Sequence, residues 1–189
     1  MSTTPQISKP DLRRSMRALL AALPPHALAE GSASLLSQLT SDASWCPAGA
    51  AVALFGGIHG EPDLLPLIPW MAARGARPVF FGMKAGELVP CLIHDAAQQL
   101  ARGPFGVWVP REAECERIDA GALAVILTPG LAFSQVDKQR LGRGQGFYDK
   151  LFARPGVTAR RIGIGFACQL VEHLPCEPHD VPLDAVVVG

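Results

Sequence analysis

The chain has 189 residues, 49% apolar and 18% charged, enough for one domain with a sizeable core. Its 17 Lys and Arg balance 17 Asp and Glu, which argues against bulk nucleic-acid or membrane-surface binding while leaving room for a local basic pocket that takes a small anion. Five cysteines without a C-x-x-C pair suit free thiols in a reducing cytosol, Leu19–Leu23 is too short for a secretory core, and no apolar run approaches the ~20 residues of a membrane span.

Residues 1–8 are polar and expected to be mobile. A helix is predicted from Pro10, with Asp11 in its first turn and Leu12, Met16, Leu19, Leu20 and Leu23 at helical spacing. Pro24-Pro25 ends it, and a second helix follows from Pro25 to Leu39. Ala50–Phe55, stopped by Gly56-Gly57, reads as a buried strand. Pro62–Ala73 reads as a helix made irregular by Pro66 and Pro69. Strands are expected at Arg77–Phe81 and, on a hairpin or edge, at Leu88–Ile93. Gln98–Val109 reads as a loop around Gly103-Pro104. Ala122–Leu127 is the strongest strand, a helix starts near Gly146, and Arg161–Phe166 and Ala185–Val188 complete the set. Strands alternating with helices predict a single three-layer α/β domain over 1–189, with a mainly parallel sheet flanked by helices. Ligands of such sheets bind at the carboxyl ends of strands, so the loops after Phe55, Phe81, Leu127 and Phe166 are expected to line the site.

The richest chemistry lies between Arg140 and Asp149. Gly142, Gly144 and Gly146 alternate with Arg143 and Gln145. Such glycines permit positive φ and let backbone N–H groups converge on an anion. Arg140 and Arg143 add bidentate phosphate donors. The spacing is neither a Walker A nor a Rossmann pattern, and a flexible surface turn is the competing reading. Asp149 and Asp184 suit Mg²⁺ beside a phosphate, or are simply a helix-start and a turn carboxylate. Lys9 and Arg13 share a helix face, to meet phosphate or to be solvated. Glu61, directly after a strand, binds a polar substrate group or stands exposed at a helix start. No histidine pair has metal-ligand spacing, and no G-x-S-x-G element occurs.

Pro129-Gly-Leu-Ala-Phe133 and Arg140-Leu-Gly-Arg-Gly-Gln-Gly-Phe-Tyr-Asp149 resemble the 5-formyltetrahydrofolate cyclo-ligase family. Supporting matches are Lys9-x-x-x-Arg13, Gly60-Glu61-Pro-Asp, and Gln169-Leu through Leu174-Pro to His179-Asp180-Val-Pro-Leu-Asp184. The resemblance implies ATP- and Mg²⁺-dependent conversion of 5-formyltetrahydrofolate to 5,10-methenyltetrahydrofolate, with release of ADP and phosphate. It assigns ATP to Lys9, Arg13 and the run Arg140, Leu141, Gly142, Arg143, Gly144, Gln145, Gly146, Phe147 and Tyr148. Folate falls to Gly56, Glu61, Arg143, Gly144, Gln145, Gly146 and Phe147, with Arg143 and Glu61 catalytic and Asp149 and Asp184 holding Mg²⁺. The rings of Phe55, Phe81, Phe133 and Phe147 are candidate pterin walls, or core. The chain departs from the family pattern at Glu61-Pro-Asp-Leu, at Val109 within Gly106-Val-Trp-Val-Pro110, and at Phe80-Phe81-Gly82. The altered residues 62–64 and Val109 favour a second reading, a relative that keeps the nucleotide loop but binds another substrate or regulates without turnover. A sugar-phosphate isomerase or acyl-transferase relative leaves the Arg140–Asp149 motif unexplained. The expected protein is a cytoplasmic monomer whose partners are a reduced folate and ATP, with no nucleic acid and no membrane.

Overall fold

A computed structural model of the chain describes residues 8–189. Helix α1 (Lys9–Ala21) is capped by Ser8, whose Oγ accepts from the Asp11 N–H and donates to the Asp11 carboxylate. Apart from Ser8, the segment expected to be mobile lies outside the described residues. Helix α2 (Pro25–Ser41) leads to β1 (Ala51–Ala53). Next come α3 (Leu67–Ala73), β2 (Arg77–Lys84), β3 (Glu87–Leu92), α4 (Ala96–Gln99), β4 (Leu100–Arg102), β5 (Trp108–Pro110) and β6 (Glu116–Arg117). The last third holds β7 (Leu123–Thr128), β8 (Ala132–Phe133), β9 (Arg140–Leu141), α5 (Phe147–Phe152), β10 (Arg160–Gly165) and β11 (Ala185–Val188).

Seven strands form one sheet in the order β11-β10-β7-β1-β2-β3-β6. The five from β11 to β2 pair in parallel, and β3 runs against both β2 and β6. Alternation sends successive side chains to opposite faces. Val52 and Leu54 of the first strand, Val125 and Leu127 of β7, and Ile162 and Ile164 of β10 pack with Leu35, Leu39, Leu67 and Met71 of α2 and α3. Ala51, Ala53, Leu123 and Ile126 face the other way, onto Leu151 and Phe152 of α5. Both sheet faces are therefore buried, which is why these strands read as continuous apolar runs. The predicted α/β architecture with a mainly parallel sheet is the observed one.

Two elements differ from expectation. The helix expected from Pro62 begins only at Leu67. Pro62 and Pro66 disfavour the helical region for the residues before them, and Asp63 Oδ1 instead accepts from the Leu65 N–H in a local turn, while Pro69 is accommodated in the first turn of α3. The expected loop from Gln98 to Val109 contains an antiparallel pair, Leu100↔Pro110 to Arg102↔Trp108. Strands of three residues are too short to print an alternation signal.

Candidate active site

The site is built where β1, β2 and β7 end. From Thr128 the chain passes Pro129 and Gly130, pairs β8 with β9, and then enters the glycine run. Phe133 anchors this excursion. Its ring is fully buried and packs against β10, where a Cβ added to Gly163 or Gly165 would lie 2.8 or 2.7 Å from it. The β10 glycines thus make room for Phe133, and Phe133 leaves the set of candidate pterin walls. Gln169, also buried, donates through Nε2 to the Gly130 carbonyl at 2.7 Å and accepts the Phe166 N–H at 2.7 Å. It fixes the Pro129-Gly130 turn from below. Leu141 is likewise structural: its side chain is buried and its carbonyl accepts from Leu131 N–H at 2.7 Å.

Beyond Leu141 the charged groups converge. The Arg140 side chain is 4% exposed and donates to Asp149 Oδ2 at 2.8 Å, with its guanidinium carbon 5.3 Å from the Tyr148 ring centre. The Arg140 Nε–H is buried without an acceptor. Such an orphaned donor carries a desolvation cost that an anionic ligand would offset. Burial pushes the Tyr148 hydroxyl up, assisted by Glu61 and opposed by Arg140, so it stays a neutral donor. Helix α1 grips the loop from outside. Arg13 Nε donates to the Gly142 carbonyl at 3.0 Å, and Arg17 donates to the Arg143 carbonyl at 2.9 Å. Gly144 and Gly146 have φ of 112° and 65°, conformations that exclude most side chains. The short helix α5 starts one residue after Gly146.

Arg143 reaches across to Glu61, its Nε 3.0 Å from Oε1. The Glu61 side chain is 8% exposed, and Oε2 accepts the Ile58 N–H at 3.1 Å. Burial raises the Glu61 pKa, with Arg143 and the Ile58 N–H acting in the opposite direction. The sequence carried no signal that these two residues, far apart in the chain, form one ion pair. It likewise gave Arg17 no task, because a contact to a backbone carbonyl has no motif.

Glu61, Pro129 and Tyr148 separate two cavities. One, about 180 Å³, is walled by Arg140, Gly142, Arg143, Gln145, Gly146, Phe147 and Asp149. The other, about 370 Å³, is walled by Phe55, Phe81, Met83, Trp108, Val109 and Glu112. Gly56 lies on its floor beneath β5, where an added Cβ would sit 1.9 Å from the Trp108 carbonyl oxygen. Phe55 and Phe81 thus face the larger cavity, and Phe147 faces the smaller.

Two expected ligands are placed elsewhere. Lys9 does not join Arg13 on the loop: its ammonium lies 2.7 Å from Glu177 and 2.5 Å from Asp180. Burial alone would lower the Lys9 pKa, yet these two carboxylates raise it overall. Asp184 pairs with a different arginine from Asp149. It stands just before β11, at the amino ends of β10 and β11, and both its oxygens accept from the Arg161 guanidinium at 3.0 and 3.1 Å. A residue that precedes a parallel strand lies at the end opposite the ligand, and Asp184 is engaged there by Arg161.

With this geometry in place, the matches to known proteins fall into one class. The model of the 5-formyltetrahydrofolate cyclo-ligase family matches residues 5–189. The chain belongs to that family. The cyclo-ligase of Escherichia coli K12 is 35% identical over 140 residues, covering 72% of this chain and 76% of its own. That of Mycolicibacterium smegmatis is 32% identical over 175 residues, covering 86% and 84%. The NMR structure of Aquifex aeolicus 5,10-methenyltetrahydrofolate synthetase superposes with a TM-score of 0.79 at 28% identity, over 96% of this chain and 89% of that one. A synthetase structure from Mycoplasma pneumoniae, 19% identical with a TM-score of 0.75 over 96% and 99%, shares the fold. Membership makes this chain a cyclo-ligase-type enzyme of folate one-carbon metabolism.

Proposed function

We propose that the chain converts 5-formyltetrahydrofolate to 5,10-methenyltetrahydrofolate with ATP and Mg²⁺, releasing ADP and phosphate. The observation that carries this reading is the Glu61–Arg143 pair, standing on the wall between the cavity of the glycine run and an aromatic one. A phosphoryl donor on one side and a flat heterocycle on the other would meet at that pair.

The formyl oxygen attacks the terminal phosphorus of ATP and the bond to ADP breaks. N10 then attacks the activated formyl carbon, the carbon–oxygen bond breaks with phosphate leaving, and N10 gives up its proton. Arg140, with its orphaned Nε–H, and the glycine-run backbone suit the triphosphate. Arg143 suits the charge on the transferring phosphoryl group, and catalysis is then positioning plus charge stabilisation. Glu61 aims Arg143 and supplies a buried negative charge beside the cationic amidinium of the product. Arg13 and Arg17 hold the loop carbonyls so that its N–H groups face inward. Lys9 would reach a phosphate only by leaving Glu177 and Asp180.

Among the carboxylates assigned to Mg²⁺, Asp149 fits and Asp184 does not. Asp149 lines the smaller cavity and keeps Oδ1 free of Arg140. One or two carboxylates with substrate phosphates is a usual Mg²⁺ environment. When bound, the ion would neutralise negative charge on the triphosphate.

The methenyl product absorbs in the near ultraviolet where the formyl substrate does not. An absorbance rise that needs ATP and Mg²⁺ together is expected. ATP binding without that rise would favour the regulator reading instead. Arg143→Ala is expected to lower kcat about 10²-fold, the scale of one lost transition-state contact.

A further inference from the structure

Next to the aromatic cavity lies a third, of about 270 Å³, that the proposed reaction leaves unused. It shares Gly56, Gly57, Glu61 and Trp108 with the aromatic cavity, so the two form one trough along the loop after β1. Its outer end has a different chemistry. The Arg102 guanidinium stacks on Trp108, its central carbon 4.0 Å from the ring centre, and donates to the Gly106 carbonyl. Among the described residues neither Arg102 nor His59, the other basic group on this wall, pairs with a carboxylate. The acids present are engaged: Glu61 by Arg143, and Asp63 by the Leu65 N–H. Phe105, on the same rim, is 92% exposed and holds a positive φ of 59°. Core packing explains neither the exposed ring nor the unpaired guanidinium.

We propose that Arg102 binds the glutamate carboxylates of the folate. This rests on the folate reading above. A reduced folate is a flat heterocycle joined through an aryl ring to a dicarboxylate. With the heterocycle against Phe55, Phe81 and Tyr148, the dicarboxylate end runs outward past Trp108 to the trough's cationic end. Stacking pre-orients the guanidinium fork and leaves its remaining N–H groups for a carboxylate.

The test is a binding and kinetic cycle. Binding of 5-formyltetrahydrofolate, its triglutamate form and the glutamate-free pteroate analogue would be followed through tryptophan fluorescence, for wild type, Arg102→Gln and Arg102→Lys. Wild type is expected to bind the glutamate-bearing ligands about tenfold more tightly than the pteroate, roughly one charge-assisted contact. Arg102→Gln should remove most of that advantage and leave pteroate affinity within twofold, raising KM for the natural substrate with kcat unchanged. Arg102→Lys should restore part of it. Equal weakening for all three ligands would mean that Arg102 only props the 103–107 turn, and unchanged discrimination would mean that the tail bypasses it; either result overturns the assignment. Absence of ATP-dependent turnover in wild type would instead sink the catalytic reading, while the binding comparison still decides the role of Arg102.

Discussion

Glu61 is a carboxylate held at 8% exposure with both oxygens engaged. Desolvation raises its pKa in spite of Arg143. The ion pair exists only when Glu61 is ionised, so protonation releases Arg143. The acid limb of kcat is therefore expected above the ordinary carboxylate range, and Glu61→Gln should flatten that limb while lowering kcat about 10²-fold. A pH–rate profile of the two proteins checks both expectations. The stability sign is distinct from the activity sign. Because the folded-state pKa is raised, this group favours the folded state most below its unfolded pKa, and that contribution disappears as pH rises through the folded value. Glu177 and Asp180 behave in the opposite way. For Glu177 the Lys9 hydrogen bond lowers the pKa; for Asp180 burial raises it but Lys9 prevails and lowers it overall. Their stabilising contribution is present above the usual carboxylate values and lost as pH falls through the depressed ones.

At the scale of elements, the loop's shape is imposed by neighbours on each side. Helix α1 supplies two guanidinium donors to two consecutive carbonyls, Gly142 and Arg143. Arg17 is exposed and packs little core, so Arg17→Ala should change the melting temperature little. It should lower kcat about three- to tenfold, because one charge-assisted contact that orients the Arg143 peptide is lost. Melting and turnover measured on one preparation separate the two effects. On the opposite side, β5 lies directly on Gly56. Gly56→Ala forces strand and loop apart, an overpacking cost of about 2–3 kcal/mol. In a chain of this size that is a fall of about 5–10 °C in melting temperature. A calorimetric shift under 2 °C would mean that β5 gives way easily.

The whole molecule decides which residues can act together, because a parallel sheet has one ligand end. Phe55, Phe81 and Pro129 reach that end from β1, β2 and β7, whereas Asp184 lies at the other. Asp184→Asn is expected to keep wild-type turnover and an unchanged Mg²⁺ dependence, while Asp149→Asn raises the Mg²⁺ concentration needed for half-maximal rate. Mg²⁺ titrations of both variants test this; a shift in the Asp184 variant would return that residue to the metal site. Burial raises the Asp184 pKa, but Arg161 outweighs it and lowers the value overall. The Asn variant should therefore be less stable than wild type at neutral pH and converge with it as pH falls through the depressed value.

The sequence by itself determined the elements whose signals are local. The apolar runs that became β1, β7 and β10 stand in the chain because both sheet faces are buried there. The Arg140–Asp149 loop stands there because positive φ requires glycine at Gly144 and Gly146. Tertiary structure alone decided the pairings, since charge attraction depends on distance in space and not on spacing in the chain. Arg143 met Glu61, Lys9 met Glu177 and Asp180, and Asp184 met Arg161. In the same way, the β10 glycines proved to seat the Phe133 ring.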